Sequence, residues 1–173
     1  GKVVYSMASA NLPWVDMSYE KLSSEYVLHP LMTAVSTLTV NNGSDTYTFD
    51  IGTKETATTN EDGEESTTTT TSVMYGGSEI NSSYFSTFFQ NLTLLKKSDT
   101  SSDKPSGKAV FTAEYKYTDG STDTVKFYDA DGNKYLAEVN GISVGHLYKT
   151  NPSKLIEQVK TVANNKEVSD FAI

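Results

Sequence analysis

Only two histidines, His29 and His146, could supply an imidazole for acid–base or metal chemistry. They are far apart in the sequence, and neither stands in a metal-ligand spacing such as His-x-x-x-His. His146 alternates in phase with Val144 and Tyr148, which is typical of a strand position beside a core. We therefore interpret both histidines as structural, and the sequence nominates no catalytic residue.

Two acidic segments have the composition of a cation site. Oxygen-bearing side chains alternate from Asp129 to Asn133 as in a calcium loop, but the bidentate Glu that such a loop needs downstream is missing at the required spacing. A hairpin turn explains these Asp, Gly and Asn residues without an ion, so we predict no metal site and no cofactor. The second acidic segment is interpreted first as a solvated loop tip, and it comprises Glu61, Asp62, Glu64 and Glu65.

The single tryptophan, Trp14, stands near Leu12 and Val15. It either covers a sheet edge as part of the core or anchors a partner protein, because tryptophan is common at interface hot spots. The core interpretation is favoured. Trp14 is nevertheless the one residue that the sequence nominates as a partner contact.

Composition excludes several classes of function. The net charge is −8, the pI is near 4.7, and all 14 basic residues are lysines, so nucleic-acid binding is not expected. The absence of cysteine from the sequence excludes disulfides, thiol nucleophiles and Cys-ligated zinc. The sequence contains no run of 18 apolar residues, so we predict no membrane-spanning helix within it.

The stretch from Gly107 to Asn164 predicts four short strands closed by one helix. Asp-Gly and Asn-Gly pairs supply the turns, and Asn140-Gly141 is the two-residue type I′ signal because both positions need positive φ. Ile142 to Tyr148 is the fourth strand. Asn151 is predicted to cap the helix, with Pro152 in its first turn and an apolar face toward the sheet.

The preceding part of the chain predicts a hairpin, a biased segment and a helix. Leu38 and Val40 share one face, Asn42-Gly43 makes the turn, and apolar alternation returns on the second arm. Residues 53–72 are rich in Thr and are either disordered or, as we prefer, a long exposed hairpin with its turn near Gly63. Asn81 or Ser82 caps a helix whose aromatic side faces the core, and residues 96–108 form a polar linker.

Together these elements predict an α+β fold, an antiparallel meander with a hairpin, packed by two main amphipathic helices on one face. We expect residues 35–173 to form a single domain into which the hairpin at residues 53–72 is inserted. We expect residues 1–34 to comprise a strand and short helices. Val4-Tyr5-Ser6 followed by Leu12-Pro13 weakly repeats the pattern of a strand and a Pro-started helix that is found near Pro152. This repetition suggests that residues 1–34 are the tail of a preceding repeat unit.

Three parts of the sequence carry a family resemblance, and they are Val4 to Ser6 with Leu12 to Asp16, Val35 to Val40 with Thr46 to Phe49, and Lys134 to Gly141 with the closing strand and helix. On these residues the sequence resembles the bacterial family called domain of unknown function 4340. The resemblance spans most of the chain and lies in packing and turn patterns, while the Thr-rich insertion is not part of the family pattern. It implies an extracytoplasmic, membrane-tethered accessory domain whose N-terminal anchor lies outside the present sequence. It also implies a protein partner among ABC transporter components of the gliding-motility type, and it supplies no catalytic residues.

Two hypotheses from different functional classes follow. The first is a non-enzymatic interaction domain that contacts another protein through a sheet edge or the long hairpin. The second is a ligand-binding module for a sugar or peptide, motivated by Tyr-rich strands and an acidic surface, and it requires a concave aromatic pocket. An enzyme is not expected, because no suitable histidine or carboxylate pair can be identified.

Overall fold

The chain folds as an antiparallel β-sheet with two helices against one of its faces. The computed structural model describes residues 24–59 and 65–171. The strands are β1 (Val35–Asn41), β2 (Thr46–Thr59), β3 (Glu65–Tyr75), β4 (Ser78–Ile80), β5 (Phe111–Tyr117), β6 (Thr122–Ala130), β7 (Lys134–Val139) and β8 (Ile142–Tyr148). The helices are α1 (Ser82–Thr93) and α2 (Thr150–Ala163), and a 3-10 turn spans Met32–Ala34. The strand order is β4-β3-β2-β1-β5-β6-β7-β8, which confirms the predicted α+β class.

The core lies between the sheet and the helices because apolar residues alternate along each strand. Phe111, Ala113 and Tyr115 of β5 are fully or almost fully buried, whereas the residues between them are more exposed. The register places Phe111 opposite Phe127, with ring centroids 5.1 Å apart. The opposite face of the sheet is polar, since its strands carry the alternate Thr, Lys and Glu residues. The buried helix residues that complete the core include Phe85, Phe88, Phe89 and Leu92 of α1 and Leu155, Val159, Val162 and Ala163 of α2.

The two helices begin differently. Of the two predicted candidates, Asn81 and not Ser82 caps α1, because the side-chain oxygen of Asn81 accepts hydrogen bonds from the backbone N–H groups of Ser83 and Tyr84. The prediction that Asn151 caps α2 is wrong. The helix begins two residues earlier than predicted, Lys149 occupies the N-cap with helical dihedral angles, and its side chain makes no capping bond. Asn151 therefore lies inside the first turn.

The turns follow the predicted chemistry. Asn140 and Gly141 have φ values of 51° and 81°, as a type I′ turn requires. Gly76 and Gly77, with φ values of 58° and 81°, turn the chain into the short strand β4, which the sequence analysis did not predict.

Several predictions lie outside the described residues. These are the strand near Val4, the short helices expected before residue 24, the environment of Trp14, and the turn near Gly63. In the part of the chain that the structure describes, no helix is long and apolar enough to cross a membrane.

Candidate functional site

The polar linker between α1 and β5 is attached to the sheet at its β8 edge. The backbone N–H of Ser98 donates to the carbonyl of His146 at 2.7 Å, and the Ser98 hydroxyl reaches the same oxygen at 3.1 Å. Asp99 and His146 form an isolated antiparallel bridge. Further along, the Ser143 hydroxyl donates to the carbonyl of Asp103 at 2.6 Å. The linker therefore extends the sheet by one short segment before it crosses to β5.

Four charged or titratable side chains, Asp99, Asp103, Lys134 and His146, meet where the linker contacts the sheet, and we call them the Asp99 cluster. Nδ1 of His146 lies 2.7 Å from Oδ1 of Asp99, and its Nε2 lies 3.5 Å from Oδ2 of Asp103. Lys134 donates to Oδ2 of Asp99 at 2.8 Å. Both nitrogens of the imidazole therefore face carboxylates, and both oxygens of Asp99 face nitrogens.

The electrostatics of the cluster favour the ionised form of Asp99. Partial burial pushes its pKa upward, but hydrogen bonds from Lys134 and His146 outweigh burial and lower the pKa from 3.8 to about 2. The hydrogen bond to Asp99 in turn raises the pKa of Lys134. Asp99 therefore stays charged across the physiological range, and it acts as an anchor for two elements of the sheet.

A polar cleft of about 920 Å³ opens beside the Asp99 cluster, between the linker and the ends of β6, β7 and β8. At its rim Lys149 donates to Oδ1 of Asp129 at 2.6 Å, and its ammonium lies 4.9 Å from the ring centroid of Tyr135. Asp129, the first residue of the segment that resembles a calcium loop, is thus paired with a lysine. Among residues 24–59 and 65–171, no group of three or more His, Cys, Asp or Glu side chains is placed to hold a metal ion.

Both histidines fasten a loop to a regular element. His29 Nδ1 lies 3.1 Å from the carbonyl of Thr93 at the end of α1, and its ring stacks on Tyr26 at 5.2 Å. His146 lies on β8, in the strand predicted for it, and holds the linker. The geometry around each ring is that of a structural tether, in which one nitrogen of His29 and both nitrogens of His146 face polar partners.

A second cavity, of about 490 Å³, lies between the C-terminal end of α1 and the N-terminal end of α2. Its wall includes Leu95, Pro152 and Phe171, with the exposed ring of Tyr148 and Lys96 beside them. The cavity is thus partly aromatic and partly apolar. It is the described feature that comes closest to the aromatic pocket required by the ligand-binding hypothesis.

The Thr-rich segment is an ordered hairpin that extends beyond the sheet. Its arms pair continuously from Thr53 opposite Thr71 to Thr59 opposite Glu65, and we call residues 53–59 and 65–71 the ribbon. The preferred interpretation of residues 53–72 is therefore confirmed over the described residues. At the base of the ribbon, Lys54 forms an ion pair with Glu79 of β4 at 3.4 Å.

Sequence reasoning missed the Asp99 cluster because its members come from three separate segments. One signal was available. Gly145 interrupts the apolar alternation of β8, and a glycine inside a strand often marks close approach of another backbone. A Cβ atom at this position would collide with the backbone oxygen of Asp99.

No family model, no curated protein and no solved structure matches the chain.

Proposed function

We propose that this chain is a non-enzymatic interaction domain on the extracytoplasmic side of the bacterial cell membrane. In this proposal it belongs to a membrane-anchored protein that is accessory to an ABC transporter of the gliding-motility type. The location and the class of partner come from the resemblance described above. The observation that carries the interaction role is the ribbon.

The ribbon adds surface without adding core. The side chains of Lys54, Glu55 and Ala57 on one arm and of Thr67 to Thr70 on the other are exposed, and Thr71 at the base is half-buried. It extends about 23 Å, at roughly 3.3 Å per residue over seven residues in each arm. A two-stranded ribbon with no apolar face contributes little to the stability of the body. Its length is therefore better explained by contact with another molecule.

The chemistry of the Asp99 cluster supports the same proposal. Its carboxylates, lysine and imidazole satisfy one another and fix the linker, so they form an intramolecular ion-pair network. A general acid or base needs a nitrogen or oxygen that can reach a substrate proton. Here each nitrogen of His146 already faces a carboxylate.

The test is a shortened ribbon in the full-length membrane-anchored protein. Removing residues 55–58 and 66–69 deletes four residues from each arm, which preserves strand alternation and the pairing of Lys54 with Thr70. We expect the thermal unfolding midpoint of the domain to stay within about 2 °C, because no core contact is lost. Crosslinking and co-purification from native membranes should recover a transporter subunit with the wild-type chain and not with the shortened one.

A matched surface variant at the opposite edge of the sheet controls for general effects. Ile142 on β8 is 67% exposed, and Ile142→Ser should leave capture of the subunit unchanged. Equal recovery of the subunit by the shortened and wild-type chains would exclude the ribbon as the contact. Repeated recovery of no specific protein by the wild-type chain would refute the interaction role itself.

The 490 Å³ cavity favours a second candidate, a ligand-binding module for a sugar or peptide. Aromatic and apolar walls beside Lys96 and the first turn of α2 suit a small ligand with an apolar group and a polar end. Titration with panels of sugars and short peptides, followed by NMR chemical shifts, tests this. A ligand should shift resonances around Tyr148 and lose affinity in Tyr148→Ala, and shifts that saturate nowhere would reject this candidate.

A further inference from the structure

We propose that the outer edge of β3, over residues 65–71, pairs with the same edge of a second copy of this chain. The two sheets would join in antiparallel fashion about a two-fold axis perpendicular to them. This inference rests on the ribbon being an interaction element, as proposed above, and it names what pairs with one edge of that element.

The edge is open along most of β3. On one side β3 pairs with β2 over its whole length. On the other side β4 covers only Val73 to Tyr75, and within the described residues no strand pairs with the outer side of residues 65–71. Alternate backbone N–H and C=O groups of such an edge point outward and can pair with another chain.

The edge also lacks the features that usually prevent such pairing, which are lysines, prolines and β-bulges. The pairing of β3 with β2 runs without a register shift, so the strand is regular. From Ser66 to Ser72 the sequence contains only Ser and Thr. The neighbouring arm, by contrast, carries the charged residues Lys54 and Glu55.

The β3 edge is self-complementary. In the longest antiparallel overlap that avoids both β4 and the hairpin turn, residues 65–71 of one copy pair with residues 71–65 of the other. This overlap places Thr68 on the two-fold axis. Thr67 then lies opposite Thr69 of the other copy, and Glu65 lies opposite Thr71, so no like charges face each other. The same two-fold pairing could be applied to the outer edge of β2, where residues 51–59 do not pair with β1. Centred on these residues, it would place Glu55 opposite Glu55 of the other copy. Only the β3 edge avoids this repulsion.

The resulting dimer should be weak and dependent on salt. One short pair of strands buries less area than a standard interface, so a dissociation constant of roughly 0.1 mM is expected. Each chain carries a net charge of −8, and screening of this charge should strengthen the dimer as the salt concentration rises.

Cysteine crosslinking tests the register, because the chain contains no native cysteine. In Thr68→Cys the two sulfur-bearing residues face each other with Cα atoms about 5 Å apart, which is within disulfide reach. Thr70→Cys is the matched control. It lies on the same face of the same strand, but its counterpart is displaced by four residues, or about 13 Å along the strand. With purified protein we expect Thr68→Cys to oxidise to a disulfide dimer at least about tenfold faster.

A charge pair provides a second, independent measurement. In Thr67→Glu/Thr69→Lys the proposed register pairs opposite charges twice, whereas in Thr67→Lys/Thr69→Lys it pairs like charges twice. Both variants place the same lysine opposite Glu55 of their own chain, so they differ only at position 67. In sedimentation equilibrium the first variant should dimerise at least about tenfold more tightly than the second.

Equal oxidation rates of the two cysteine variants, or equal dimerisation of the two charge variants, would overturn the inference. Faster oxidation of Thr70→Cys would overturn the proposed register. These experiments use the purified chain without any membrane partner. If these experiments fail, the proposed capture of a transporter subunit by the ribbon is not contradicted. If that capture fails instead, dimerisation through β3 can still be measured.

Discussion

Replacing Gly145 by alanine should detach the linker from β8. The glycine has φ of +150°, and an added Cβ would collide with the backbone oxygen of Asp99 while also lying 3.1 Å from the Asp99 carbonyl carbon and 3.2 Å from Cδ of Lys97. Neither backbone can move without breaking the bridge between Asp99 and His146. We therefore expect the linker to lift from the sheet edge.

The expected loss follows from the contacts that would break. A non-glycine residue at this φ costs about 1 to 2 kcal/mol in backbone strain. The hydrogen bond from Ser98 N–H to the His146 carbonyl and the one from His146 N–H to Asp99 contribute about 1 kcal/mol each. The free energy of unfolding should therefore fall by about 3 to 4 kcal/mol, a large part of the stability of a typical domain.

Two other glycines separate these contributions. Gly141 also has positive φ, +81°, but a Cβ there meets no atom within 4 Å, so Gly141→Ala should cost about 1 to 2 kcal/mol from strain alone. Gly52 lies in a strand with neither strain nor a close neighbour, and Gly52→Ala should be neutral or stabilising by up to about 1 kcal/mol. Urea unfolding of the three variants gives the free energies.

Hydrogen exchange locates the damage. The amides of Ser98 and His146 should be protected in the wild-type protein and exchange faster in Gly145→Ala, while both should remain protected in Gly141→Ala. A Gly145→Ala variant that loses no more stability than Gly141→Ala, with the Ser98 amide still protected, would refute this account of the linker.

Three further predictions concern single polar side chains. Because the folded pKa of Asp99 is about 2 and its ordinary value is 3.8, its ionised form stabilises the fold above about pH 4, and this contribution is lost as the pH falls toward 2. Solvent screening of this 38% exposed side chain limits the effect to about 1 kcal/mol, and Asp99→Asn should flatten that part of the stability profile measured by urea unfolding between pH 2 and 6. Asn91 is buried and bonds to Gln158, to the Ser169 carbonyl and to the Phe171 N–H, so Asn91→Ala should cost about 2 to 3 kcal/mol in urea unfolding and speed exchange of the Phe171 amide. Asn81→Ala should cost about 1 kcal/mol, measured as a lower urea midpoint with unchanged slope, because two N–H groups at the start of α1 lose their acceptor.

Local patterns predicted the elements of this fold because each element is determined by nearby residues. The strand Ile142–Tyr148 has the predicted ends, since Asn140-Gly141 fixes the turn that precedes it. Helix α1 has the predicted cap at Asn81 for the same local reason. The cap of α2 was misassigned because Pro152 tolerates any position in the first turn, where its missing N–H costs nothing. The start of that helix is instead set by where β8 ends.

The Asp99 cluster could not be predicted in the same way because long-range pairing assembles it. Asp99 lies in a polar linker, and its sequence neighbours Ser98 and Thr100 give no sign of a strand partner 47 residues further along the chain. A pattern in one segment cannot specify a bridge to another segment. Gly145 was the only local sign, and it indicated a close backbone contact without indicating which backbone.

The structural use of the Asp99 cluster bears on which part of the chain carries the function. The side chains that could take part in acid–base chemistry, such as those of His146, Asp99 and Lys134, hold the linker in place. The linker spans the distance from the end of α1 to β5 at the centre of the sheet. A connection of that length without secondary structure needs such attachments to be ordered. The ribbon is the converse case. Its side chains offer little acid–base or metal-binding chemistry, and no described part of the body packs against its outer half. Because its β3 edge is regular and carries no charged residue from Ser66 to Thr71, the ribbon can bind through main-chain hydrogen bonds, a mode of recognition that requires no catalytic or metal-binding side chain.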